Sequence, residues 1–207
     1  MRHGVMMWGG LMLGLASLGC GSKATTVDSG TAAGSETTTV GDSGVGTGGA
    51  SVCTGTGVNQ GDLLGDFELQ TCDGTKVTFG SVLKGKKAVI LDFAAGWCAP
   101  CREHQPALVE LYSKYSTCGL DVVVVLSEQD QPNDPATKTF CQTWKDQYKE
   151  PFTVLIDPTK KVTSAYLQGG GLPAEVIVDP QCKAQLKSVG KFSADEVITI
   201  QELTGCQ

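Results

Sequence analysis

Two nearly continuous apolar runs, residues 88–93 (Ala-Val-Ile-Leu-Asp-Phe) and 121–126 (Asp-Val-Val-Val-Val-Leu), constrain this chain more than any other feature. A strand with one wet face alternates polar and apolar residues. Runs like these are buried on both faces, which calls for helices on either side of a largely parallel sheet. The rest of the pattern supplies them. After a break at Gly96, Leu108, Leu111, Tyr112 and Tyr115 mark one face of a helix. Asp134 and Pro135 read as the N-cap and first residue of the next, with Phe140, Trp144 and Tyr148 as its inner stripe. Strands are expected at 153–156, 174–178 and 184–189, and Ser193 with Glu196 makes a capping box for a last helix. Ahead of all these, short runs at 67–70 and 76–79 flank Asp73-Gly74, a dipeptide that favours a tight hairpin turn. The order is that of an α/β domain with a central mixed sheet.

The N-terminal quarter follows other rules. Arg2 and His3 precede an uncharged apolar stretch over residues 5–18, long enough for the core of a signal peptide and too short to cross a bilayer as a helix. The stretch ends Ala16-Ser17-Leu18-Gly19-Cys20, which resembles the lipobox of bacterial lipoproteins and implies that Cys20 carries lipid in the mature chain. From 21 to 52, 20 of 32 residues are Gly, Ser or Thr, and no apolar period runs through them. Such a segment buries too little surface to offset its ordering entropy and reads as a flexible tether. The expected division is a signal peptide at 1–19, a tether at 20–52 and one domain at 53–207. A net charge of −6 argues against a nucleic-acid partner, which would need clustered Lys and Arg.

The chemistry is concentrated at Trp97-Cys98-Ala99-Pro100-Cys101. Two cysteines three apart, at the junction of a buried strand and a helix, set the first sulfur against unpaired backbone N–H groups and the positive end of the helix dipole. That setting favours the thiolate, the attacking species in disulfide exchange. Pro100 fits a helix start, where no N–H is needed. Cys101, one turn inside, is placed to attack Cys98 and release a mixed disulfide. Asp92, six residues before Cys98 at the end of the strand, can take the Cys101 proton if it is desolvated.

The segment from Asp92 to Arg102, with Pro106 and Leu108 beyond it and Gly65-Asp66-Phe67-Glu68-Leu69 before it, resembles the thioredoxin-fold proteins, and among them the TlpA/ResA group of membrane-tethered thiol-disulfide oxidoreductases. The resemblance implies a thioredoxin fold with an N-terminal β-hairpin extension. It makes Cys98 the nucleophile, Cys101 the resolving thiol and Asp92 the buried acid. Pro106 matches the proline that kinks the active-site helix. Pro173, after Leu172, matches the cis-proline that faces the dithiol, so that Trp97, Pro100, Leu172 and Pro173 would receive the substrate. The implied partners are thiol or disulfide client proteins of the cell envelope and a redox partner, with the membrane reached through the lipid. A monomer is expected, with no cofactor and no metal. The group often carries Glu where this chain has His104, which is expected on the solvated side of the helix.

Other readings of the cysteines fit less well. A zinc site would need a second close pair or spaced histidines, and only His3 and His104 exist. A peroxiredoxin would show Pro and Thr where Leu91 and Ala95 stand, and a copper-delivery relative would put three residues between its cysteines. A purely structural disulfide has no use for the surrounding Trp and Pro residues, and a non-catalytic thioredoxin-fold binding or scaffold lipoprotein stands as the alternative reading. With Cys20, Cys98 and Cys101 set aside, Cys53, Cys72, Cys118, Cys141, Cys182 and Cys206 remain, enough for three structural bridges of undetermined pairing. Nine cysteines with two histidines suit an oxidising compartment.

Overall fold

In the structure, a computed structural model that describes residues 53–207, seven strands form one sheet. The segments expected as signal peptide and tether, with Cys20, lie outside the described residues. In chain order the elements are β1 (Glu68–Thr71), β2 (Lys76–Thr78), α1 (Phe79–Leu83), β3 (Ala88–Ala94), α2 (Ala99–Tyr115), β4 (Leu120–Leu126), α3 (Lys138–Tyr148), β5 (Thr153–Ile156), α4 (Lys161–Leu167), β6 (Ala174–Val178), β7 (Ala184–Val189) and α5 (Ala194–Thr204). The sheet order is β2-β1-β5-β4-β3-β6-β7. The central strands β3, β4 and β5 are parallel, and β6, β7, β1 and β2 add antiparallel edges. This is the thioredoxin-like arrangement of a mixed sheet with helices on both faces.

Pleating sorts the core into two layers. In β3, Ala88, Ile90 and Ala94 pack with Leu108, Trp144 and Ile200 from α2, α3 and α5, while Val89, Leu91 and Phe93 pack with Leu64, Phe79 and Tyr166 on the other face. Every residue of β3 is buried, as a strand covered on both sides must be. Asp92 shares its parity with Ile90 and therefore faces α2. In β6, Ile177 joins the same layer, so Glu175 faces α2 as well.

Two local expectations need correction, and the helix α4 is an addition to them. The helix expected at Asp134-Pro135 begins at Lys138, because residues 134–136 first run back along 127–129: Ala136 N donates to Ser127 O and Gln129 N to Asp134 O. Thr137 is the cap, its hydroxyl accepting from Phe140 N at 3.2 Å. Phe79 belongs to a short helix rather than to β2, since Thr78 caps that helix through Ser81 N. The helix α4 has no strong sequence signal, because only Thr163 and Tyr166 of its seven residues are buried. At the hairpin, Gly74 takes φ +93°, a conformation glycine adopts freely.

All eight cysteines of the described residues are bridged: Cys53–Cys182, Cys72–Cys141, Cys98–Cys101 and Cys118–Cys206. Cys182 turns β6 into β7, and Cys118 lies between α2 and β4, so both of their bridges sit at the N-terminal ends of the parallel strands. The dithiol is at the opposite end.

Candidate active site

β3 runs out of the sheet at Ala94, and the chain must turn sharply to enter α2. Gly96 makes the turn possible, because a Cβ there would lie 2.7 Å from the Gln129 carbonyl carbon. Its N–H donates to Glu128 O at 2.9 Å, and Trp97 N donates to Gln129 O at 2.9 Å. The turn delivers Cys98 to the N-cap of α2, where its sulfur accepts from Cys101 N at 3.2 Å. The helix end thus meets Cys98 Sγ with a backbone donor, the contact that favours a thiolate. In the bridged form Cys98 is 3% exposed and Cys101 fully buried, so the sliver of access is on the first sulfur.

Trp97 stands out at 38% exposure beside the pair. Its indole N–H donates to Glu128 Oε2 at 2.8 Å. The other oxygen of Glu128 accepts from Asn133 N at 2.7 Å and from Lys160 Nζ at 2.9 Å. Burial works against the Glu128 charge, but the Lys160 ammonium and these donors prevail and lower its pKa. Arg102 donates from its guanidinium to Gly96 O, pinning the turn from the helix side. Pro100 is exposed in the first turn of α2. The Leu172–Pro173 peptide bond is cis and immediately precedes β6, whose Ala174 pairs with Phe93. The register brings Leu172 and Pro173 to the end of the sheet where β3 gives way to the dithiol.

Beneath the helix start, Asp92 is fully buried. Gln105 Nε2 lies 3.1 Å from Asp92 Oδ2 and 3.1 Å from Cys101 O, so one side-chain amide spans the acid and the second cysteine's backbone. Desolvation first, and then the charge of Glu175, push the Asp92 pKa up to about 7, while His104 and Gln105 pull the other way. The desolvated carboxylate assumed from sequence is therefore present. His104 departs from expectation: it is 4% exposed, with Nε2 2.5 Å from Glu175 Oε1. Burial disfavours its charge, but Glu175, Asp92 and Glu196 outweigh it and raise the imidazole pKa. The spacing held the signal, since His104 follows Cys101 by three and precedes Leu108 by four, on the buried stripe of α2. Glu175 and Glu128 were missed in the sequence. An acid inside an otherwise apolar strand segment, as at 174–178, was the available clue to the first.

Sequence residues far apart thus converge: Asp92, Trp97, Cys98, Pro100, Cys101, Leu172 and Pro173 share one end of the sheet, and Cys20 lies outside the described residues. Residues 60–187 match the AhpC/TSA family. The chain is 30% identical over 132 residues to the thiol-disulfide oxidoreductase ResA of Bacillus cereus, covering 64% of this chain and 70% of that protein. It is 33% identical over 141 residues to the thioredoxin-like protein YneN of Bacillus subtilis, covering 68% and 78%. Among solved structures it superposes on a protein assigned as thiol:disulfide interchange protein DsbE from Chlorobium tepidum with a TM-score of 0.58 and 30% identity, covering 72% of this chain and 98% of that one.

Proposed function

The chain belongs to the AhpC/TSA family and is a thiol-disulfide oxidoreductase of the ResA type; from that premise we propose that it exchanges disulfides with proteins of the cell envelope through Cys98 and Cys101, held to a membrane by lipid on Cys20. The observation that carries the reading is the Cys98 sulfur at the N-cap of α2, accepting from Cys101 N. In the reducing direction the Cys98 thiolate attacks a client disulfide. A Cys98–client bond forms, the client's S–S bond breaks, and the departing client sulfur takes up a proton. Cys101 then gives its proton to Asp92 and attacks Cys98 Sγ. The Cys98–Cys101 bond forms and the second client sulfur leaves, protonated in turn, so that two electrons have passed from the dithiol to the client. Run backwards, the same steps oxidise a client dithiol.

Trp97, Pro100, Leu172 and Pro173 supply the surface on which the client segment lies, with Trp97 fixed by Glu128. A tether of some thirty residues would span roughly 30 Å as a Gly-rich coil, enough to hold the domain off the headgroups. Acyl chains contribute about 0.8 kcal/mol per buried CH₂, so two or more anchor stably. Brief alkylation of the reduced protein at neutral pH tests the dithiol assignment: Cys98 is labelled first, and first labelling of Cys101 would overturn it. Cys20→Ser tests the anchor. It releases the protein from membranes and removes the acyl mass, whereas unchanged fractionation and mass would refute lipidation.

A further inference from the structure

Asp92 and Glu175 are directly opposite each other in the antiparallel β3–β6 pair, both on the α2 face and both buried. Two like charges in cross-strand contact repel, and burial magnifies the repulsion. Against them stands an imidazole. His104 reaches down from α2 to put Nε2 2.5 Å from Glu175 Oε1, and the imidazole nitrogen and one oxygen of each acid all lie within 4.8 Å of one another. Ser188 Oγ, from β7, donates to the other Glu175 oxygen at 3.0 Å. Phe192 stacks on the imidazole at 4.4 Å, and the two rings line a pocket of about 190 Å³ with Pro100, Glu103, Ala107 and Lys191. Asp92 Oδ1 has no hydrogen-bond partner, so this oxygen is open to a proton.

We propose that His104 and Glu175 act as a pair of positioning residues whose opposite charges cancel beside Asp92, leaving that carboxyl free to take and return the proton of the resolving thiol. The inference deepens the reading of the dithiol given above and rests on it. A shared metal ion is a poorer account of the cluster: two ligands of one zinc ion at ordinary bond lengths stand roughly 3.3 Å apart in a tetrahedral site, wider than the His104–Glu175 contact. The other groups around Asp92 do not cancel Glu175. Glu150, beyond α3, feels the Asp92 charge, which adds to burial in keeping the Glu150 carboxyl protonated, and Glu196 of α5 acts on His104. Gln105, whose amide lies 3.1 Å from Asp92 Oδ2, is neutral.

Charge cancellation predicts a pattern that simple structural support does not. Removing the imidazolium leaves Glu175 unopposed, so Asp92 holds its proton to higher pH. Removing Glu175 as well relieves the repulsion. The experiment is single-turnover resolution of a preformed mixed disulfide, from pH 5 to 9, in wild type, His104→Gln and the double variant His104→Gln/Glu175→Gln. Wild type shows an inflection near 7. His104→Gln moves it up by about one unit, making resolution roughly tenfold slower below the inflection, and the double variant brings it back toward wild type. An inflection unmoved in His104→Gln, or a double variant no nearer wild type than the single one, would overturn the proposal. Should His104→Gln fail to fold, NMR titration of the reduced wild type decides: both His104 nitrogens stay protonated at pH 7, and a neutral imidazole there contradicts the pairing. That titration needs no client, so it separates failure of this pairing from failure of the disulfide-exchange reading, which the alkylation of Cys98 tests.

Discussion

The two ends of the central sheet are built on opposite principles. At the N-terminal ends of the parallel strands, Cys53–Cys182 and Cys118–Cys206 join residues 129 and 88 positions apart. At the C-terminal ends, Cys98–Cys101 joins residues three apart. In the chain-entropy account, a bridge spanning about 130 residues removes roughly 5 kcal/mol of unfolded-state freedom, and one spanning a single turn about 2 kcal/mol. The long bridges hold the fold. The short one closes a turn that Gly96, Trp97 and Arg102 already fix by hydrogen bonds, so it can open and close with little rearrangement. Asp92, His104 and Glu175 gather under the dithiol, where their desolvation lowers stability.

The contrast is sharpest in the two kinds of cysteine variant. Cys98→Ser abolishes disulfide exchange in an insulin-reduction assay and lowers stability by no more than about 2 kcal/mol, the smaller of the two chain-entropy contributions. Replacing both Cys53 and Cys182 by Ala does the reverse. Stability in a urea titration falls by roughly 2–5 kcal/mol, while the folded fraction still reduces disulfides. If the two variants lose stability equally, the division between the ends is wrong.

Asp92→Asn acts within the active end alone. Resolution of the Cys98-linked adduct slows by about a hundredfold, the usual scale of general-base assistance, and adduct formation much less. Stopped-flow single-turnover kinetics separate the two steps, and equal slowing of both would reduce Asp92 to a structural strand-end residue.

The pH dependence of stability follows from the buried acids. Burial raises Asp92 to about 7 and Glu150, which accepts from Trp144 Nε1 at 2.9 Å, to about 8. Each holds a proton in the folded chain at pH values where the unfolded chain has lost it. Stability therefore falls as pH rises from about 4 through 7 for the first and to about 8 for the second, and levels above. Glu150→Gln keeps the acceptor for Trp144 and removes that dependence, shrinking the stability difference between pH 5 and pH 8 by roughly 3.5 kcal/mol. Urea titrations at the two pH values measure it.

What the sequence made legible was local. The dithiol, its helix start, Asp92 and the proline before β6 lie in short segments where strand, turn and helix signals adjoin, and the two apolar runs imposed a covered parallel sheet. What it hid depends on register. Glu175 meets Asp92 because β6 pairs with β3 across some eighty residues, and Glu128 holds Trp97 because the 127–136 loop doubles back before α3. The even number of spare cysteines was plain, but Cys72 finds Cys141 only when β1 lies beside β5. His104 was misjudged because a charged residue was assigned to solvent by type, when its place on the Cys101–Leu108 stripe assigned it to the core.

The central claim is that Cys98 exchanges disulfides with client proteins and Cys101 resolves the product. Trapping tests it most directly. Cys101→Ser, expressed in its own envelope and isolated after acid quenching, should carry proteins bound through Cys98 that dithiothreitol releases, and Cys98→Ser should carry none. Adducts that map to a cysteine other than Cys98, or a Cys101→Ser protein that traps nothing, would contradict the account.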